Sequence, residues 1–167
     1  MRWPPGRRSR PPDEAAARLD PDERVLAWAA TPEGSAVVAT PLGLWLPGAD
    51  RISWHLVTHV VWTGATLTVT SAEEVEPTVL ENVAPVSVTL VEPGNLPETV
   101  QQRFYSSRTQ TARHPLPGGG GVIIVARRVP GVDGLRWYAV YDEQAQRHDP
   151  VAADEVSRLL AAAVGAS

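Results

Sequence analysis

Apolar residues from position 24 onward recur in short runs with a period near two, the pattern of strands that turn one face inward. The runs RVLAWAAT, SAVVAT and GLWL are separated by Pro-Glu-Gly and Pro-Leu-Gly turn signals, and the Pro-Gly of LPGAD turns the chain again before RISW. THVVW reads as a further strand that turns at Thr63-Gly64. TLTVTS alternates, with Leu67 and Val69 inward and the threonines outward. TVLENV and VSVTLV follow, and Val86, Val88 and Leu90 share one face. So many short strands at this spacing predict an antiparallel barrel or sandwich.

The period then changes. In NLPETVQQRFYSS, Leu96, Val100 and Phe104 recur four residues apart and predict a helix over about 96–107. Asn95 followed by Glu98 has the spacing of a capping box, and Pro97 falls in the first turn, where a missing N–H costs nothing. Such a helix is expected to cap an open end or edge of the barrel. HPLPGGGG leads into VIIVARR, PGVDG forms a loop, and LRWYAVYD returns, which predicts a hairpin at about 120–142. Asp149 and Pro150 open a closing helix with Val156, Leu159, Leu160 and Ala163 on its apolar face, and Gly165 suits its C-terminal cap. Residues 13–19 fit a short helix. The start, MRWPPGRRSRPP, is too polar to pack. The predicted organisation is a disordered basic arm at 1–12, a β-barrel with a capping helix at 13–107, and a hairpin and helix at 108–167 packed on the same domain.

Composition narrows the chemistry. With 167 residues and 43% hydrophobic content the chain can bury a core without a disulfide or metal. It has no cysteine, which removes thiolate ligands and cysteine nucleophiles. All 15 basic residues are arginine, which removes Schiff-base lysines and the P-loop lysine. No apolar run is long enough to cross a membrane as a helix. No secretory signal or twin-arginine leader is evident, so the expected location is the cytoplasm. The net charge of −4 conceals an asymmetry: 13–100 is strongly acidic, whereas 101–136 carries six arginines against Asp133.

The run 24–70 resembles bacterial PH-like domains. The resemblance rests on ERVLAWA, VVATPLGLWL, RISW, VVW and TLTVT, and above all on two steps. One is the threonine, turn, glycine-aromatic step at 40–45; the other is the arginine-isoleucine-x-tryptophan step at 51–54. With the segments at 113–119 and 137–142, most of the chain after residue 12 is similar to an actinobacterial protein family carrying such a domain. The resemblance implies an α+β, mostly β fold: a PH-like antiparallel β-barrel with a capping helix, plus a C-terminal hairpin and helix. It implies binding of lipids, peptides or proteins and supplies no catalytic residues.

The candidate chemistry is sparse. His55 and His59 stand four apart but in a turn and strand, without the glutamate of the zincin motif or a nearby third ligand, so no metal or other cofactor is expected. Gly118 to Gly121 precede a strand rather than a helix, which is wrong for a phosphate loop. No Gly-x-Ser-x-Gly occurs. The expected function is therefore a non-catalytic binding or adaptor module acting through a protein or small ligand. The alternative is anion or nucleic-acid binding through Arg103, Arg108, Arg113, Arg127 and Arg136. The acidic net charge disfavours nucleic acid. Arg127 and Arg128 are adjacent on a strand and point to opposite faces, so only one can join that group. An enzyme without a recognisable motif is the remaining class.

Overall fold

A computed structural model describes residues 10–166, which form an α+β chain dominated by strands. Residues 1–9 of the expected basic arm, including Trp3, lie outside the described residues. Of the rest, Pro11 is buried and Pro12 precedes helix α1 (Asp13–Ala17).

The first sheet runs in simple order: β1 (Ala27–Ala30), β2 (Ala36–Ala39), β3 (Gly43–Trp45) and β4 (Ile52–Ser53), all antiparallel. It is held by a buried carboxylate. The Glu23 side chain has no exposed surface and accepts hydrogen bonds from Thr40 Oγ1 at 2.6 Å, Trp45 Nε1 at 3.1 Å, Arg51 Nη1 at 3.0 Å and the Asp20 amide at 3.1 Å. Trp54 Nε1 donates to the Thr40 carbonyl at 2.8 Å. At Gly43 a Cβ would collide with the Ile52 carbonyl across the β3–β4 pair, so that position tolerates only glycine. Thr40, Gly43, Trp45, Arg51 and Trp54 all belong to the two steps that carry the PH-like resemblance, and all five serve this lock.

The second sheet is larger and curled. Its path is β5 (Val57–Thr63), β6 (Thr66–Glu76), β7 (Val79–Asn82), β11 (Leu135–Tyr141), β10 (Gly121–Arg128) and β9 (Arg108–Pro115), and β8 (Val86–Thr89) pairs with the first half of β6. The barrel therefore stays half-open rather than closed. The predicted hairpin exists as β10–β11, and β11 pairs in parallel with β7, which merges it into the sheet. Strand β9 was not foreseen. Its sequence RTQTARHP lacks apolar alternation because it is an exposed edge that, among the described residues, pairs only with β10. Gln110, at φ 44°, is the extra residue of a bulge in β9, and the shifted register places Arg108 opposite Arg127.

Helix α2 (Leu96–Ser107) matches the predicted span and buries Leu96, Val100 and Phe104 against β1, β2 and β5. The capping box does not form: the Asn95 side chain makes no cap, and its carbonyl instead receives the amide and hydroxyl of Thr99. Helix α3 (Pro150–Ala166) covers the face of β10 and β11 that carries Val122, Ile124 and Ala139. Asp149 Oδ1 accepts the Val151 amide as expected of a cap. Gly165 lies inside the helix rather than ending it. The opposite face of β10 and β11 carries Ile123, Val125, Tyr138 and Val140.

Two outcomes test this packing. Phe104→Ala is expected to lower the unfolding free energy by about 3–5 kcal/mol, and a loss under about 1 kcal/mol in urea titration would contradict the burial of that ring. For Glu23, burial pushes the pKa up, but the hydrogen bonds from Thr40, the Asp20 amide and Trp45, with the charge of Arg51, outweigh it and hold the carboxyl below its usual value. A lowered acid pKa contributes stability in full above 4.5 and loses it as pH falls through the folded value. Glu23→Gln should cost about 2–3 kcal/mol at neutral pH and make the acid limb of a stability–pH curve shallower.

Candidate functional site

The strand alternation of β10 decides which arginine matters. Arg128 is exposed on one face, whereas Arg127 points to the other and is only 3% exposed. A buried charge normally has a carboxylate beside it. Among the described residues Arg127 forms no ion pair. Its Nη2 donates to the Trp54 carbonyl at 2.5 Å and to Ser107 Oγ at 2.8 Å, which ties β10 to the 3-10 turn at Trp54–Leu56 and to the end of α2. Its Nε is buried without an acceptor. Burial and the neighbouring charge of Arg108, partly offset by Tyr138, lower its pKa to about 10.

Arg127 lines a cavity of about 290 Å³ on the curled sheet. Ile123, Val125 and Val140 give it an apolar floor. Arg108 joins Arg127 at one end, and the two guanidinium carbons lie 5.5 and 5.7 Å from the centre of the Phe104 ring. That contact supplies some of the missing negative potential, at about 1 kcal/mol each. Thr58, His59, Thr70 and Asn82 form the wall, with Thr58 Oγ1 bonded to Asn82 Oδ1 at 2.7 Å, and Glu143 stands at the far end. The far end follows from the register: Val140 opposes Ile123, four strand residues or ~13 Å from Arg127, and Glu143 lies still farther along, beyond the end of β11.

The five arginines singled out from the sequence thus have different fates. Arg108, Arg127 and Arg136 are opposite one another across β9, β10 and β11 and share a sheet face. Arg113 is farther along β9, where it pairs with Asp142 at 3.0 Å. Arg103 sits half-buried on α2. His55, half-buried next to Tyr138, has a pKa lowered by burial and by Arg127 and Arg136, against an opposing pull from Glu74, and its Nδ1 has no acceptor. His55 and His59 belong to no group of metal-ligating side chains among the described residues. No helix among them is long and apolar enough to cross a membrane.

No protein-family model, curated protein or solved structure matches this chain.

Two measurements follow from these charges. Arg127→Met should change the stability of the ligand-free protein by less than about 1 kcal/mol in either direction, because two lost hydrogen bonds are set against removal of an unpaired buried charge; breaking a paired one costs about 3–5 kcal/mol. For His55, the folded chain binds the proton more weakly than the unfolded chain, so the unfolded chain holds more protons below 6.5 and stability rises with pH there. Urea unfolding from about pH 5 to 7 should show that rise, and His55→Gln should remove it.

Proposed function

We propose that this chain is a non-catalytic binding module of PH-like kind, and that its ligand is an anion held by Arg127 and Arg108 in the cavity on the curled sheet. The observation that carries the reading is Arg127: a guanidinium 3% exposed, without an ion pair among the described residues, lining a cavity. Keeping such a charge dry costs several kcal/mol unless a counter-charge arrives, so an anion bound there offsets a cost already built into the fold. The cavity volume is near the lower end for small-molecule sites.

The arrangement favours binding over catalysis. Thr58 Oγ1 has its one proton directed at Asn82 Oδ1 at 2.7 Å, with the Thr70 carbonyl a second acceptor within reach at 3.2 Å, rather than at a base. It also disfavours nucleic acid, because Arg127 is inside the fold and Arg113 is engaged by Asp142 rather than presented in an exposed stripe. The PH-like reading is supported by the lock around Glu23, which uses the residues of both family steps.

Thermal unfolding with acetate, isobutyrate, benzoate, sulfate and inorganic phosphate tests the proposal. At a ligand concentration about 100-fold above Kd the midpoint should rise by about 5–10 °C. Arg127→Met should abolish the rise while leaving the fold intact. If none of these anions shifts the midpoint at millimolar concentration, the reading is wrong.

A further inference from the structure

The cavity under Arg127 changes character along its length. A guanidinium carries five N–H protons. Arg127 donates two of them, both from Nη2, to Trp54 and Ser107, and its buried Nε has no acceptor. Arg108, opposite Arg127 across β9 and β10, adds a second cation at the same end. From there the floor is apolar. Side chains on one face of a strand recur every second residue, so Val125 lies ~7 Å from Arg127, and Ile123 with Val140 opposite it lies ~13 Å away. At the far end the sign of the charge reverses. Glu143 lines the cavity there, and Arg113, level with Ile123 on β9, is engaged by Asp142. The volume of about 290 Å³ is that of about ten water molecules at ~30 Å³ each.

Sulfate or phosphate at Arg127 would turn oxygens that need donors toward Ile123, Val125 and Val140, which offer none. Acetate would leave most of the volume unfilled. A dicarboxylate long enough to span the space would bring its second charge to Glu143. Resting on the anion reading above, we infer that the ligand is an unbranched aliphatic monocarboxylate of medium chain length. Its carboxylate sits at Arg127 Nε and Arg108, and its chain lies along Val125, Ile123 and Val140. A chain of about eight carbons with its two oxygens has the roughly ten non-hydrogen atoms that the volume accepts. Each methylene buried on such a floor strengthens binding by about a factor of four.

The test is isothermal titration of the full chain with octanoate, acetate, sulfate, the dicarboxylate suberate and the uncharged 1-octanol. Octanoate is expected to bind at least about tenfold more tightly than each of the others, a margin well inside what the added methylenes supply. Ile123→Thr, checked for an unchanged melting point, is expected to weaken octanoate several-fold and to leave acetate as it was. If that variant does not fold, the ligand series on the unaltered chain decides. Octanoate no tighter than acetate or sulfate overturns the inference while the anion reading survives. Suberate as tight as octanoate also overturns it, as does an equal loss of acetate and octanoate in Ile123→Thr. Binding of 1-octanol as tight as that of octanoate, or binding of none of the anions, removes both readings.

Discussion

A single guanidinium joins three parts of this molecule. Arg127 reaches from β10 to the carbonyl of Trp54 and the hydroxyl of Ser107, so one side chain joins the larger sheet, the turn that enters it, and the end of α2. A buried charge must be surrounded by acceptors, and acceptors can be supplied only by backbone or side chains brought to it. The turn at Trp54–Leu56 and the C-terminus of α2 thus meet β10 through this polar tie as well as through apolar packing. Phe104 completes the arrangement by offering its ring face to Arg127 and to Arg108.

Two buried charges divide the labour. Glu23 is an acid with four donors, one of them the guanidinium of Arg51. It is fully satisfied, and it organises the first sheet. Arg127 is a base with two neutral acceptors and no acid among the described residues. The first arrangement is a scaffold that needs nothing from outside. The second keeps part of its electrostatic potential available, as sites held in readiness for a charged ligand do.

Much of the fold was legible in the chain. The stripe of Leu96, Val100 and Phe104 marked α2 because helical periodicity is local, and the short alternating runs marked β1, β2, β3, β5, β6, β7 and β8 for the same reason. Strand β9 escaped because an exposed edge needs no apolar residues. The parallel pairing of β7 with β11 joins segments more than fifty residues apart, and nothing in either strand announces its partner. The site was legible only as a set of arginines. Alternation showed that Arg127 and Arg128 must diverge, but Arg127 is the buried one because the turn at Trp54 and the end of α2 pack over its face, a tertiary fact. Similarly, Arg108 owes its place opposite Arg127 to the bulge at Gln110, and bulges leave little trace in sequence when the residue is not glycine.

That bulge has a consequence for how the molecule behaves in a crowd. β9 is an eight-residue strand with one side of its backbone unpaired, the kind of template on which chains stack edge to edge and aggregate. Gln110 interrupts the straight ladder and increases the local twist, so a second strand laid against this edge would lose its register midway. Arg108 and Arg113 flank the interruption and put charge on this edge, a further bar to stacking. The residue that aims Arg108 at the cavity thus also helps keep the protein's open edge from recruiting its own kind.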